Sequence, residues 1–236
     1  MLNTKKLLTL VLIATFLLST PFALACSGSE VCSEVFIYKY DDNYGKPPGL
    51  PGKPNRQDLG YVFLRDGYKW KDLPITIYLD DELATYQNAI ESAMQEWDDN
   101  TAASLFSYSI NVIEDASFDS SSRDGKNELV FGDYPEDGVI AVCITWFYRF
   151  ARDKRIVEFD IMFDNQDFAW GNADESSDVM DVQNIATHEL GHGLGLGDLY
   201  DSKWFEQTMY WTAGYDETIK RTLDSGDIAG IKALYG

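Results

Sequence analysis

The spacing of two histidines and one glutamate is typical of a catalytic metal site, in which the histidines bind the metal and the glutamate is the base. His188 and His192 are the only histidines among the 236 residues. Residues i and i+4 of an α-helix lie about 40° apart around its axis, so both imidazoles can bind one ion. Glu189, beside them, can hold a metal-bound water without being a ligand itself. A histidine on a helix is more often a satisfied polar group, but here both histidines have ligand spacing, and the pattern predicts a zinc site.

The remaining protein ligand must be another residue type. Asp198 is the best placed, because Gly195 can adopt a left-handed conformation that ends the helix and lets the chain turn back. Cys143, Glu206 and Glu217 are the rival candidates. Two imidazoles and one carboxylate leave the fourth zinc position open for water, which is the arrangement of a catalytic rather than a structural site.

The residues around this pattern resemble a known peptidase family. The stretch HELGHGLGLGD at 188–198 resembles the extended zinc motif of the metzincins, HExxHxxGxxH, with aspartate replacing the last histidine as in the snapalysins. From about residue 68 to 236 the chain is similar to matrixin catalytic domains. The similar segments are 70–80, 89–101, the Met-turn at 208–210 and the ending LDSGDIAGIKALYG.

The resemblance implies a zinc endopeptidase that acts on extended protein or peptide substrates. It implies that His188, His192 and Asp198 hold zinc and that Glu189 is the general base. Met209 would form a packing floor beneath the metal, although an ordinary core methionine would be equally buried. A substrate would pair with an edge strand near residues 139–146. The candidate substrate contacts are Val139, Ile140, Ala141, Tyr210 and Tyr215, of which the tyrosines are equally explained by aromatic packing.

Two features of the matrixin pattern are missing from the sequence. Without further histidines the structural zinc of vertebrate matrixins cannot be built in the usual way, and no cysteine-switch sequence precedes the domain. Calcium remains a second candidate cofactor, since clustered oxygen ligands suit a hard cation. The candidate calcium ligands are Asp160, Asp164, Asn165, Asp167 and Asp174. A solvated acidic loop explains the same residues equally well.

The composition excludes some classes of partner. Acidic residues outnumber basic ones by 39 to 19, and the formal net charge is −20. Such a surface repels nucleic-acid phosphates and anionic lipid headgroups, so we expect no nucleic-acid partner. The aromatic content of 14% excludes a disordered acidic tail.

The first 25 residues read as a signal peptide. Two lysines precede an apolar run at 7–18 that is too short to span a bilayer, and Ala-Leu-Ala at 23–25 is a small-residue cleavage site. We therefore expect a secreted, extracellular protein without a membrane span. Cys26 leaves two alternatives open: a lipid anchor to the cell envelope, or a disulfide with Cys32 in an oxidising compartment.

Hydrophobic periodicity predicts an α+β (mixed-sheet α/β) domain, and the resemblance adds a metzincin-like twisted sheet, active-site helix, Met-turn and C-terminal helix. Strands are expected at residues 75–79, 105–113, 128–131, 139–148 and 157–163. Helices are expected at 83–97, 179–194 and 227–234, the last capped by Asp224 or Ser225.

The domain organisation follows from proline and glycine. Residues 26–60 form a short N-terminal segment and a Pro/Gly linker, and are a candidate propeptide. Residues 61–236 form the catalytic domain, which we expect to be a monomer. Two alternatives remain: a catalytically silent extracellular zinc-containing binding domain, or a gluzincin-type peptidase with Glu217 or Glu206 as third ligand.

Overall fold

A mixed β-sheet packed against helices forms the body of the protein. The computed structural model describes residues 31–41, 59–148 and 154–236, together with the backbone of residues 24–25. The strands are β1 (Leu24–Ala25), β2 (Val31–Tyr40), β3 (Val62–Phe63), β4 (Ile77–Asp80), β5 (Asn111–Ile113), β6 (Asn127–Gly132), β7 (Val139–Tyr148), β8 (Ile156–Asp164), β9 (Trp170–Gly171), β10 (Met180–Asp181), β11 (Leu196–Gly197) and β12 (Thr212–Ala213). The α-helices are α1 (Gln87–Asp99), α2 (Val182–Gly193) and α3 (Ser225–Tyr235), and 3-10 turns span Asp81–Tyr86, Ser202–Trp204 and Ile219–Arg221.

The main sheet combines parallel and antiparallel pairs. Its order is β1-β2-β7-β8-β6-β4-β5, and β12 also pairs with β2. β4, β5, β6 and β8 are joined by parallel pairs, whereas β7 runs antiparallel to β8. This mixed sheet with helices confirms the predicted α+β class.

The predicted elements are mostly present, with different ends. The predicted strand at 105–113 is largely wrong, because only β5 is strand and Ile75 forms an isolated bridge with Phe106. Tyr108 is 43% exposed, so the apolar alternation there does not mark a buried face. The predicted helix at 83–97 begins as a 3-10 turn and becomes α1 at Gln87. α3 begins at Ser225 with Asp224 as its cap, in a capping box with Asp227.

The sheet buries a core on each face. The larger core lies between the sheet and the helices α1 and α2, and includes Trp97, Leu190 and Phe159. A smaller cluster on the opposite face contains Val130, Val142 and Met162. Strands buried on both faces read as continuous apolar runs, which explains the composition of β7.

The N-terminal segment contributes a strand that the sequence did not indicate. β2 pairs antiparallel with β7 from Val31 opposite Tyr148 to Lys39 opposite Val139. The expectation that β7 is an edge strand is wrong, because β2 covers that edge. Cys26 lies outside the described residues, as do residues 1–23, which contain most of the predicted signal peptide. Within the described ranges no helix is both long and apolar enough to cross a membrane.

Three carboxylates, those of Glu128, Glu158 and Asp160, lie close together where β6 pairs with β8. Asp160 is 4% exposed and accepts a hydrogen bond from the backbone N–H of Glu128 at 3.0 Å. Burial, with repulsion from Glu158 and Glu128, raises the pKa of Asp160 from 3.8 to about 8. The folded protein therefore holds this proton to a higher pH than the unfolded chain does.

Asp160→Asn tests this electrostatic cost. A raised pKa in the folded state means that the free energy of unfolding falls as pH rises from about 4 to about 8. The neutral amide removes that loss and keeps an acceptor for the Glu128 N–H, so the variant should gain roughly 1–3 kcal/mol relative to wild type between pH 5 and pH 9. Urea denaturation at both pH values measures the gain. An equal difference between the two proteins at both pH values would contradict the assignment.

Candidate metal centre

Side chains fix the first two turns of helix α2 at their beginning and at their end. Its N-cap, Asp181, accepts a hydrogen bond from the N–H of Asn184 at 2.9 Å and also binds the Arg221 guanidinium. The Trp97 indole of α1 donates to the carbonyl of Thr187 at 2.9 Å. The turn that precedes His188 is therefore fixed by its neighbouring helix.

The two imidazoles are oriented by backbone carbonyls. His188 Nδ1 lies 2.8 Å from the Thr208 carbonyl oxygen, and His192 Nδ1 lies 3.0 Å from that of Leu196. A carbonyl only accepts, so each Nδ1 carries the proton and each Nε2 has a free lone pair. The two Nε2 atoms are 3.0 Å apart, so both lone pairs are directed at one point.

The chain reverses direction after α2, as Gly195 predicts. Gly195 has a φ of +104°, and a Cβ there would lie 2.2 Å from the carbonyl oxygen of Tyr68. The following strand β11 pairs antiparallel with β3. Only glycine fits this turn, and the turn brings Asp198 back to the histidines.

Asp198 completes a triangle of donor atoms. Its Oδ1 lies 3.4 Å from the Nε2 of His188 and 3.4 Å from that of His192, with no hydrogen-bond partner, while its Oδ2 accepts from the Tyr200 hydroxyl at 3.0 Å. The hydroxyl thus turns the other oxygen toward the two nitrogens. Tyr200 was missed by the sequence analysis, because a tyrosine two residues after an aspartate is no signal by itself.

The triangle fits zinc. Four-coordinate zinc with bonds of about 2.0–2.2 Å needs ligand atoms about 3.3 Å apart, close to the separations of 3.0 and 3.4 Å here. Burial lowers the pKa of His188 to about 4, so its imidazole is neutral, as a ligand must be. Among the described residues, the group that could hold a metal ion is His188, His192 and Asp198.

Glu189 is a buried carboxylate without a partner. Its side chain is 0% exposed and neither oxygen has a hydrogen bond. Burial raises the pKa of Glu189 well above its ordinary value. Leaving such a group unpaired is costly, so a ligand of the site is needed to satisfy it.

Met209 lies against the helix turn that joins the two histidines. A Cβ on Gly191 would be 2.3 Å from the Met209 sulfur and 2.8 Å from the Trp97 ring. The backbone N–H groups of Thr208 and Met209 donate to the carboxylate of Asp227 at 2.7 and 3.2 Å. Asp227, which the sequence analysis did not include in the site, therefore joins α3 to the turn that orients His188.

The rival ligands lie elsewhere. Glu206 is exposed. Glu217 is buried, but its Oε1 pairs with Lys220 Nζ at 2.6 Å. Cys143 is a buried free thiol whose Sγ lies 3.7 Å from Thr145 Oγ1, and it does not belong to the group that could hold a metal ion. Their places favour Asp198 as the third ligand.

The calcium candidates mostly satisfy backbone groups or a neighbouring cation. Asp164 accepts from the N–H groups of Tyr134, Gln166 and Asp167, and Asp174 binds Arg221. Asp160 belongs to the carboxylate group on β6 and β8, and Asp167 accepts from the Gly138 N–H. The fifth candidate, Asn165, accepts a hydrogen bond from the Gln166 side chain.

The candidate substrate residues lie along β2. Val139, Ile140 and Ala141 are buried in β7, where β2 covers their strand. Tyr210 is 4% exposed and lies near Lys220, whereas Tyr215 packs on Tyr40 of β2 at 5.4 Å between ring centroids.

Gly191→Ala should destabilise the fold even though alanine is the better helix former. The added methyl group must displace Met209 and Trp97, so we expect a loss of roughly 1–3 kcal/mol in the free energy of unfolding. Chemical denaturation of the metal-free protein measures it. Ser92→Ala, at an exposed position of α1, is the control and should change the free energy of unfolding by less than about 0.5 kcal/mol. A stabilised Gly191→Ala variant would show that the close approach is absent.

Asp198→Ala should weaken zinc binding at least about 100-fold, because one of three protein donors is lost. Tyr200→Phe should weaken it about 10- to 100-fold, because Asp198 loses the group that orients it. Competition with a chromophoric chelator measures both. Glu206→Ala is the control and should bind zinc like wild type. Zinc loss in Glu206→Ala, with Asp198→Ala unaffected, would assign the third ligand to Glu206 instead.

Comparison with known proteins agrees with this geometry. A family model described as matrixin matches residues 74–236. Matrilysin of Rattus norvegicus is 39% identical over 77 residues, which are 33% of this chain and 27% of that protein. Metalloendoproteinase 2-MMP of Arabidopsis thaliana is 30% identical over 198 residues, which cover 80% of this chain and 44% of the relative. Metalloendoproteinase 4-MMP of Arabidopsis thaliana is 25% identical over an alignment of 252 residues, which covers 88% of this chain and 66% of the relative.

The chain therefore spans between about a quarter and two thirds of the length of these relatives. The match covers the zinc motif, the Met-turn and the terminal helix. The resemblance indicated by HELGHGLGLGD is thus confirmed, and the chain belongs to the matrixin family of metzincin zinc metallopeptidases.

Proposed function

We propose that the chain is a secreted zinc-dependent endopeptidase in which His188, His192 and Asp198 hold the metal and Glu189 is the general base. The observation that carries this proposal is the convergence of three buried donor atoms beside a buried carboxylate without a partner. A purely structural zinc site is closed by four protein ligands and needs no such base.

The chain supplies the proton transfers. Zinc, when bound, supplies Lewis acidity that activates water and polarises the scissile carbonyl. Glu189 accepts the proton of the attacking water on one carboxylate oxygen and passes it to the leaving amine. The carbonyls of Thr208 and Leu196 keep both Nδ1 atoms protonated, so the donor nitrogens stay aligned during this transfer.

Asp198 tunes the site. With zinc bound, the anionic Asp198 in place of a third imidazole would lower the net positive charge of the centre and would make a bound water slightly less acidic. Enzymes with two histidines and one carboxylate still hydrolyse peptides. The Tyr200 hydroxyl withdraws part of the Asp198 charge through its hydrogen bond and thereby moderates this effect.

Extended protein segments are the substrate class that the fold favours. The backbone groups of β7 between Val139 and Ala141 pair with β2, and a substrate strand in the place of β2 would use the same groups, which supply affinity without reading side chains. The names of the relatives, metalloendoproteinases, agree with cleavage inside protein chains.

Secretion is supported by the cysteines. Cys32 is disulfide-bonded, which supports an oxidising compartment, whereas Cys143 is a buried free thiol. The predicted partner of Cys32, Cys26, lies outside the described residues. A disulfide favours plain secretion over the alternative of a lipid anchor on Cys26. We propose a monomer for which zinc is required, with calcium at the acidic loops as an optional second ion.

The competing function is a silent extracellular binding domain that keeps zinc for stability. Nothing in such a domain would require Glu189 to be buried unpaired. A gluzincin-type site is disfavoured because Glu217 already pairs with Lys220.

Glu189→Gln should lower cleavage of an unstructured protein about 10²- to 10⁴-fold without loss of zinc, because the amide cannot accept the proton. Wild-type cleavage should also stop on addition of a chelator and return with zinc. Glu206→Gln, an exposed glutamate on the following turn, is the control and should cleave normally. Metal analysis of each protein accompanies the assay. A folded, zinc-loaded wild type that cleaves nothing, even after a cut in the Pro/Gly linker predicted within residues 26–60, would favour the binding domain.

A further inference from the structure

The strand β2 lies in the place where a substrate strand is expected. Along one side it pairs with β7, and at its C-terminal end it also pairs with β12 on the other side. The N–H of Tyr40 donates to the Gly138 carbonyl at 2.9 Å, and the N–H of Asp41 donates to that of Ala213 at 2.9 Å. Backbone groups on both sides of a cleft thus hold one extended segment.

Alternate side chains of β2 point at the metal centre. The Phe36 ring stacks on His192 with 4.0 Å between centroids and an interplanar angle of 8°. The Tyr38 ring stacks on His188 with 3.7 Å between centroids and an angle of 2°. The peptide bonds of Ile37 therefore lie between the two residues that cover the zinc-donor imidazoles. His188 and His192 are 0% and 1% exposed beneath this cover.

The site that receives Tyr38 is built for an aromatic ring. On one side lies the His188 imidazole, and Lys220 Nζ lies 5.6 Å from the centroid of the Tyr38 ring. Lys220 is held there by Glu217 at 2.6 Å and by the Thr212 carbonyl oxygen at 2.6 Å. A buried cation near a ring and a stacked imidazole both favour a π-system over an aliphatic side chain.

The strand β2, which covers the two histidines, offers no thiol ligand to a metal. Cys32 is the cysteine of β2, and it is disulfide-bonded. Blocking of the site therefore depends on strand pairing, on the two stacked rings and on the ion pair of Glu34 with Arg65 at 3.2 Å.

We propose that Val31–Tyr40 is a built-in pseudosubstrate. It fills the cleft, lowers the activity of the intact chain at least tenfold, and marks the preferred substrate as an extended segment with aromatic residues at the two positions held by Phe36 and Tyr38. This inference rests on the proposed peptidase function. Its test separates the two, because binding of the strand is measured without catalysis.

The test begins with the full chain carrying an inserted recognition sequence for a site-specific protease between residues 46 and 56. Cutting there frees β2 to leave, and cleavage of an unstructured protein should rise at least tenfold over the uncut chain. Equal activity before and after cutting would overturn the pseudosubstrate while leaving the peptidase intact. The unmodified chain treated with the same protease controls for cutting elsewhere.

The second measurement uses a fluorescent peptide of residues 31–41 with serine in place of Cys32. Its binding to the cut, zinc-loaded Glu189→Gln protein is followed by anisotropy. A peptide with Tyr38→Ala should bind at least tenfold more weakly, whereas Lys39→Ala, which removes a surface ion pair with Glu136, should change binding less than threefold. Equal binding of the Tyr38→Ala and Lys39→Ala peptides would overturn the assignment of the aromatic site. A further outcome is that the peptides bind as expected while the cut wild type shows no chelator-sensitive cleavage. That result would overturn the peptidase function but would keep the placement of the strand.

The last arm compares two reporter peptides that differ only at the aromatic positions. The peptide with Phe-Ile-Tyr should be cleaved at least tenfold faster, in kcat/KM, than the one with Ala-Ile-Ala. Equal rates would show that the rings of β2 do not report the preference of the enzyme.

Discussion

Two hydrogen bonds from imidazole Nδ1 atoms to backbone carbonyls are the constraint on which the site depends. They fix the tautomer of each histidine and direct both Nε2 atoms to one point, 3.0 Å apart. Both acceptor carbonyls, those of Leu196 and Thr208, belong to segments that follow α2. Helical spacing alone therefore does not make the site. The chain must return to the helix twice, once through Gly195 and once through the Met-turn.

Close packing explains residues that helix propensity does not. Gly191 and Gly193 lower the stability of an isolated helix, but a Cβ at either position would lie less than 3.0 Å from a neighbouring side chain, Met209 for the first and Phe159 for the second. The Met-turn is held by Asp227, whose burial raises its pKa to about 6. Three backbone N–H groups, from Thr208, Met209 and Asp224, offset that cost.

The sequence indicated what depends on local spacing and missed what depends on distant contacts. His188, Glu189 and His192 were predicted as site residues because one helix places them, and Asp198 because a glycine marks the reversal. Tyr200, Asp227 and Lys220 act through partners that only the folded chain brings near. The strand at 31–40 was missed, because its apolar run at 35–38 is short and no local signal says that it joins β7. The predicted strand at 105–113 was too long because Leu105 and Phe106 are buried in the core, whereas Tyr108 and Val112 are exposed.

The position of β2 solves two physical problems together. β7 is ten residues long and buried almost throughout, and a bare apolar edge of that length would pair with other chains. β2 satisfies its backbone groups and covers both imidazoles with aromatic rings. A substrate that replaces β2 must therefore restore the same two features: an extended backbone for β7 and flat side chains for the histidines. The strand that covers the edge of β7 and the segment that the cleft is shaped to receive consequently have the same chemistry.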